Sequence, residues 1–265
     1  MIILEALTQG EKRLRQAFDG APGYHQPKID AQLLLSKALG KPTAFLFSHI
    51  DYELTDKEAS TFEHYLSRRE TMEPAAYITG TKWFYGREFE VNEHTLIPRP
   101  DTEILVEDAI KYASMNSLLV DIGTGSGAIG ISVAAESKIP VVCVDISQEA
   151  IAVARRNAKK LGTDALTHFL SGNLLDPLFK EGESYYDYPQ VLILANLPYI
   201  SEIQYDLLEK GVKDFEPKSA LISGPDGLNH YRELFEQIKR YRHRLPNKIR
   251  LYCEIDSTQR RGIID

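Results

Sequence analysis

The sequence of 265 residues predicts an α/β protein in which a small helical bundle precedes a domain built on a parallel sheet. Three observations predict this class. Apolar residues recur at helical spacing over residues 1–72. Residues 73–97 have the pattern of a β-hairpin that links the two domains. Over residues 98–265, short apolar runs alternate with helical segments, which indicates a parallel sheet covered by helices on both faces.

The helical region shows both spacing and end signals. Leu4, Leu7, Leu14 and Phe18 recur at helical spacing. The pair Thr55 and Glu58 forms a capping-box pattern before the next apolar residues. An N-cap is also expected at Asp30, before an apolar segment that ends at Gly40; that segment is Ala31–Leu39.

The hairpin and the strands follow from their apolar and aromatic runs. Trp83–Tyr85 and Glu88–Val91 flank a Gly86-Arg87 turn. Strands are expected where apolar residues run continuously, and helices are expected between them. The predicted strands are Leu118–Val120, Val141–Val144, Val191–Ala195 and Ile249–Ile255. One predicted helix begins at Ala128, and two others span Glu149–Leu161 and Tyr231–Arg242.

Composition excludes several classes of protein. Hydrophobic residues make up 43% of the chain and charged residues 26%, as in ordinary globular proteins. The net charge of −7 counts mildly against a long nucleic-acid ligand. No signal peptide is recognisable and no apolar run approaches the ~20 residues of a membrane span, so a cytoplasmic protein without membrane contact is expected. Two cysteines and scattered histidines predict free thiols and no metal site.

A glycine-rich loop closes the first predicted strand and opens a helix. It runs from Asp121 to Gly130, and Asp145 ends the next strand 22 residues after Gly123. Glycines let the backbone approach a ligand closely, and a carboxylate at this place can accept hydrogen bonds from both ribose hydroxyls of an adenosine. The pattern therefore predicts a nucleoside cofactor at the carboxyl ends of the strands.

A dinucleotide is the rival ligand for this loop. Gly125, Gly127 and Gly130 match a bare G-x-G-x-x-G pattern, which is weak by itself. Asp121 would repel a pyrophosphate, whereas it favours the ammonium group of S-adenosyl-L-methionine. We therefore predict S-adenosyl-L-methionine.

A polar turn, Asn196-Leu197-Pro198-Tyr199, follows the predicted strand Val191–Ala195. An amide or arylamine nitrogen is a poor nucleophile and must be oriented towards the methyl carbon. The Asn196 side-chain oxygen and the Leu197 carbonyl can each accept one N–H of such an NH2 group. Pro198 stiffens the turn, and Tyr199 offers a ring for stacking on a planar group. A plain turn is the alternative interpretation.

These motifs, together with others along the chain, resemble the family of release-factor glutamine N5-methyltransferases, also called PrmC or HemK. The most specific segments are Glu73–Gly80 and Ile97–Glu103. The other matching segments are Asp30–Leu35, Leu39-Gly40, Phe84–Gly86 with Phe89, Asp121–Ile129, Asn196–Tyr199, Glu216-Pro217, Gly224–Leu228 and Tyr231-Arg232.

The resemblance implies a seven-stranded, Rossmann-like class I methyltransferase domain behind a helical substrate-recognition domain. It implies methyl transfer from S-adenosyl-L-methionine to the glutamine side-chain amide in the Gly-Gly-Gln motif of peptide chain release factors, which are the expected partners. The turn Asn196–Tyr199 would bind the glutamine, with Asn196, Pro198 and Tyr199 as the catalytic residues. The implied cofactor-binding residues are Gly123, Thr124, Gly125, Ser126, Gly127, Asp145, Asn173, Leu174 and Asn196.

Three departures from the family pattern affect these expectations. Leu197 replaces the usual proline, as in rRNA adenine dimethyltransferases, so an N6-adenine methyltransferase acting on RNA or DNA stays the alternative. Asn173 replaces the usual acid, although its oxygen can still accept from an adenine amine. The chain stops at Asp265, where the family normally continues for another hairpin, so an exposed strand edge is expected.

Three hypotheses remain at this point. The chain is a protein glutamine methyltransferase, an adenine methyltransferase, or a cofactor-binding protein without catalysis. A monomer that does not bind nucleic acid directly is expected under the first.

Overall fold

The computed structural model describes residues 1–21, 23, 25–182 and 184–264. The chain divides into two compact units, each with its own apolar core. The helical unit comprises Met1–Gly80 with Leu208–Phe215, and the sheet unit comprises Thr81–Leu207 with the residues from Glu216 onward. The predicted boundaries at residues 72 and 97 stay predictions.

Helices and strands are numbered in chain order. The described helices are α1 Ile3–Ala17, α2 Pro27–Leu39, α3 Thr43–Ser48, α4 Asp56–Glu70, α5 Ala75–Thr79, α6 Glu103–Tyr112, α7 Ala128–Ser137, α8 Gln148–Lys160, α9 Glu202–Asp206, α10 Lys210–Lys213, α11 Asn229–Arg240 and α12 Arg260–Ile264. The described strands are β1 Thr81–Phe84, β2 Arg87–Glu90, β3 Ser117–Ile122, β4 Val141–Asp145, β5 Thr167–Ser171, β6 Gln190–Ala195 and β7 Lys248–Cys253.

The helical unit packs α1, α2 and α4 around one apolar core, which confirms the predicted helical region. The capping box is present, since the Thr55 N–H donates to Glu58 (2.8 Å) and the Glu58 N–H to the Thr55 hydroxyl (3.3 Å). The predicted N-cap at Asp30 is wrong. Helix α2 begins earlier, at Pro27, whose fixed φ suits a first helical turn. The Asp30 carboxylate is buried and pairs instead with Arg69 (2.8 Å).

The predicted hairpin is confirmed, but the predicted Gly86-Arg87 turn is one residue off, because Arg87 already pairs within β2. Strands β1 and β2 pair antiparallel, with Phe84 opposite Arg87. The two turn residues, Tyr85 and Gly86, both have positive φ (48° and 69°), as a tight two-residue hairpin turn requires. Helix α5 precedes the hairpin within the stretch that the sequence assigned to the linker.

The main sheet of the sheet unit is parallel, in the order β5-β4-β3-β6-β7. Every residue of β3 and β6 is buried, and separate apolar clusters cover the two faces, as predicted. In register, Ile122 at the end of β3 lies between Val144 of β4 and Ala195 of β6. The segments that follow these three strands therefore emerge side by side.

The seven-stranded sheet implied by the resemblance is not seen: over the described residues the main sheet has five strands. After β7 the described residues form a 3₁₀ turn, Ser257–Gln259, and helix α12, so no further strand follows it there. In the described sheet, β7 lies at one edge. Its residues are partly or fully exposed, whereas the neighbouring β6 is buried throughout.

Within the described residues, no helix is long and apolar enough to cross a lipid bilayer. Cys143 lies in β4 and Cys253 in β7, in agreement with two free thiols in strands.

Candidate active site

A cavity of about 270 Å³ opens at the carboxyl ends of the parallel strands, within the sheet unit. It lies where the strand order reverses between β3 and β6, which is where open α/β sheets bind ligands. All the predicted cofactor-binding residues except Gly127 line it, as do three residues of the polar turn. These lining residues are Gly123, Thr124, Gly125, Ser126, Asp145, Asn173, Leu174, Asn196, Leu197 and Pro198. Gly127 is at the N-cap of α7 and is not among the lining residues, so its contact with the cofactor stays a prediction.

Two glycines of the loop are required by its geometry. Gly123 has φ +70°, and a Cβ there would approach the Leu197 side chain to 3.0 Å. Gly127 has φ +83° at the N-cap of α7, and a Cβ there would clash with Ile131 at 2.5 Å. The loop therefore keeps its backbone against the cavity only with glycine at these positions.

Asp121 stabilises the glycine loop through hydrogen bonds. One carboxylate oxygen accepts from the Thr124 hydroxyl (2.6 Å) and from the Gly130 N–H (2.9 Å). The other oxygen is buried and has no hydrogen-bond partner among the described residues. Burial raises the pKa of Asp121 to about 6. Asp121 is not among the residues that line the cavity, so its predicted contact with an ammonium group stays a prediction.

Asp145 is held at the cavity by two backbone N–H groups. One oxygen accepts from Gly125 (2.8 Å) and the other from Ser147 (2.9 Å). Burial raises the pKa of this carboxyl, although the two bonds partly offset that effect. Each oxygen keeps a further lone pair, so the carboxylate can still accept two hydroxyl groups. These two accepting oxygens fit the ribose hydroxyls of an adenosine cofactor.

Asn173 lines the cavity with its amide nitrogen already engaged. The nitrogen donates to the Glu233 carboxylate (2.5 Å). Its oxygen is therefore the atom left to accept a hydrogen bond, as the sequence argument for an adenine amine requires. Leu174, with φ +48°, covers the same wall of the cavity.

The turn after β6 places Asn196, Leu197 and Pro198 on the cavity wall. The Asn196 amide nitrogen donates to the Thr102 hydroxyl (3.1 Å). Tyr199 is not among the lining residues. Its hydroxyl donates to the Glu254 carboxylate (3.3 Å), and burial raises its pKa to about 12. The predicted stacking role of Tyr199 therefore stays a prediction.

Sequence reasoning missed Thr102 and Glu254. Thr102 lines the cavity and also donates to the Glu254 carboxylate (2.6 Å). The available signal for Glu254 was an acid directly after a strand, since strand ends of parallel sheets carry site residues. Two charged residues near Thr102 make structural contacts: Arg99 pairs with Glu216, and Glu103 accepts from the Tyr85 N–H (2.8 Å).

Two family models match the chain. The PrmC N-terminal domain model matches residues 5–80, and the methyltransferase small domain model matches residues 100–209. The release factor glutamine methyltransferase of Clostridium acetobutylicum is 38% identical over 80% of this chain and 73% of that protein. The Caulobacter vibrioides protein of the same name is 36% identical over 91% of this chain and 80% of its own length. The Bacillus subtilis one is 39% identical over 78% and 72%.

The chain belongs to the release factor glutamine methyltransferase family. This confirms the resemblance seen in the sequence. As a member of this family the chain is a methyltransferase, and its cofactor is S-adenosyl-L-methionine. Asp145 and the loop residues Gly123–Ser126 line the part of the cavity whose hydrogen-bonding groups and shape fit that cofactor.

A solved structure supports the fold of this family member. The catalytic domain of hMettl16, in complex with MAT2A 3'UTR hairpin 1, superposes with a TM-score of 0.53 at 14% identity, over 87% of this chain and 80% of that one. This likeness concerns the fold alone, and it confirms the predicted class I methyltransferase architecture.

Proposed function

We propose that this protein transfers the methyl group of S-adenosyl-L-methionine to the side-chain amide nitrogen of the glutamine in the Gly-Gly-Gln motif of a peptide chain release factor. The observation that carries the proposal is Asn196, whose amide nitrogen is already bound by Thr102. Its oxygen remains to accept from an NH2 group at the cavity. The family membership supports a release-factor glutamine as that group.

The chain's own groups orient the acceptor nitrogen. The bound cofactor supplies an electrophilic methyl group on a sulfonium sulfur. The Asn196 oxygen and the Leu197 carbonyl would accept the two N–H groups of the glutamine amide, which aims the nitrogen and favours the positive charge that develops on it. Pro198 stiffens the turn, and the Tyr199 ring would stack beside the amide. One N–H proton of the product is then released to solvent.

The cofactor would be held by the glycine loop and the adjoining strand ends. Asp145 would accept from the ribose hydroxyls, and the Asn173 oxygen from the adenine amine. Leu174 would cover the adenine face, while Gly123–Gly127 let the backbone approach the cofactor closely.

The helical unit would recognise the release factor, and the protein would act as a cytoplasmic monomer without direct nucleic-acid binding. The cavity wall supports a protein acceptor over a polyanion. Among its described residues it includes the acids Glu93 and Asp145 and neither lysine nor arginine.

The test is transfer of a labelled methyl group to purified release factor and, in parallel, to ribosomal RNA. We expect label on the release factor, and we expect that label to be lost when the glutamine of its Gly-Gly-Gln motif is changed to alanine. Label on RNA alone would favour the adenine alternative raised by Leu197. Cofactor binding without transfer to either acceptor would favour a non-catalytic role.

A further inference from the structure

A chain of three polar side chains ends on Asn196, and its far end is Glu254. The Glu254 carboxylate accepts from the Thr102 hydroxyl (2.6 Å), and the Thr102 oxygen accepts from the Asn196 amide nitrogen (3.1 Å). Thr102 is only 3% exposed, so water has little access to its hydroxyl. The hydrogen bonds of this buried hydroxyl therefore depend on the protein.

The direction of these bonds follows from what each group can donate. An ionised carboxylate only accepts, so the single hydroxyl proton of Thr102 is directed to Glu254. The Thr102 oxygen then remains as an acceptor, and of the two ends of the Asn196 amide only the NH2 end can donate to it. The carboxylate thus determines which end of the Asn196 amide is free for the acceptor substrate.

The Glu254 carboxylate is itself held in place from several sides. Its second oxygen accepts from the Tyr199 hydroxyl (3.3 Å). Its backbone N–H donates to the Ala195 carbonyl (3.1 Å), and its own carbonyl accepts from the buried Tyr231 hydroxyl (2.5 Å). Ala195 immediately precedes Asn196, so the backbone hydrogen bond between Glu254 and Ala195 holds Glu254 next to the start of the polar turn Asn196–Tyr199.

We propose that Glu254 is a positioning residue for methyl transfer, which acts through Thr102 to keep the Asn196 oxygen, and not its NH2 group, directed to the acceptor amide. This inference rests on the proposed function. With the amide reversed, Asn196 would present two N–H donors to a substrate NH2 group, and neither group could accept. We call the two hydrogen bonds that link Glu254, Thr102 and Asn196 the relay. Loss of the relay should therefore reduce the rate of transfer rather than the binding of the cofactor.

Thr102 offers the sharpest test because two close variants separate the hydroxyl from the shape. Thr102→Val removes the hydroxyl and keeps the branched side chain, whereas Thr102→Ser keeps the hydroxyl. We expect Thr102→Val to lower kcat at least about tenfold and Thr102→Ser to stay within about threefold of the parent protein. The Kd of S-adenosyl-L-homocysteine, measured by calorimetry, should change less than about twofold in both.

Glu254→Gln tests the origin of the relay. Its side chain has one accepting oxygen for two hydroxyl donors, Thr102 and Tyr199, so we expect a decrease in kcat with the same unchanged cofactor affinity. The double variant with Thr102→Val should be no slower than Thr102→Val alone, because both changes break one relay. Asp256→Asn is the matched control, since it removes a charge two residues away whose hydrogen bonds go to Thr258.

A second measurement does not need the methyl acceptor. In amide hydrogen-exchange NMR, the Asn196 side-chain NH2 should exchange slowly in the parent protein and in Thr102→Ser, and markedly faster in Thr102→Val. Unchanged exchange and unchanged kcat in Thr102→Val would overturn the positioning role. If the parent protein methylates no release factor, the proposed function fails, and the exchange result alone then decides whether the relay exists.

Discussion

The two sides of the cavity are built in different ways. The cofactor side comprises the loop Asp121–Gly130 with Asp145, and its bonds join residues 3, 9 and 20 positions apart in the chain. The acceptor side comprises Asn196–Tyr199 with Thr102 and Glu254, and its bonds join residues 55, 94 and 152 positions apart. The bonds of the cofactor side thus stay within one continuous β3–α7–β4 segment, whereas those of the acceptor side require the assembled sheet.

Asn196→Ala should have the largest effect and should leave the cofactor side intact. It removes the oxygen that orients the acceptor nitrogen, so we expect kcat to fall by a factor on the order of 10² to 10³. The Kd of S-adenosyl-L-homocysteine should stay within about threefold of the parent value. Labelled transfer and calorimetry measure the two quantities, and substantial activity in this variant would contradict the role assigned to Asn196.

Asp145→Asn should weaken cofactor binding and should change the rate of transfer less. Replacing one carboxylate oxygen by an NH2 group removes an acceptor for the ribose and opposes the Ser147 N–H with another donor. We expect the Kd of S-adenosyl-L-homocysteine to rise at least about tenfold, which is about 1.4 kcal/mol, with a smaller change of kcat at saturating cofactor. Glu149→Gln, on the exposed start of α8, is the control for the lost charge. An unchanged Kd in Asp145→Asn would contradict the proposal that Asp145 binds the ribose hydroxyls.

Asp121 should have the smallest effect on methyl transfer, and its main effect should be on the pH dependence of stability. Burial raises its pKa to about 6 in the folded protein, above the ordinary value of an exposed aspartate. The folded state therefore disfavours the ionised form, and this group's contribution to the free energy of unfolding is lost as pH rises from about 4 through about 6. In urea titrations of the ligand-free protein, the difference in unfolding free energy between Asp121→Asn and the parent should shift by about 2 kcal/mol in favour of the variant between pH 4.5 and 7. A difference independent of pH would refute the raised pKa of Asp121.

The cofactor side was largely predictable because its signals are local. Glycines at a strand end, and an acid at the next one, need only the chain order to be interpreted. On the acceptor side the turn itself was predicted, but its support was not. No pattern in one sequence pairs Thr102 with Asn196 or Glu254, because their contact follows from the order and register of β3, β6 and β7.

The fold was predicted in the same uneven way. Long apolar runs correctly predicted the buried strands. Strand β5 was missed because exposed residues such as His168 and Ser171 interrupt its apolar run. Helices α3, α5, α9 and α10 were missed because four to six residues are too few for a helical period to be recognised. In the described sheet β7 has the expected exposed edge, and the seven strands implied by the resemblance are not confirmed over the described residues.

The place of Glu254, directly after strand β7, has a consequence for how the protein loses activity. In the described sheet, β7 has a neighbour on one side only, so the segment can detach at a free-energy cost below that of unfolding the whole unit. Such partial detachment would let the Asn196 amide rotate, because Glu254 would no longer orient it through Thr102. The glycine loop and Asp145 would still bind the cofactor. Mild heating or low denaturant should therefore yield a species that retains the nucleoside but no longer turns over, well before the protein melts.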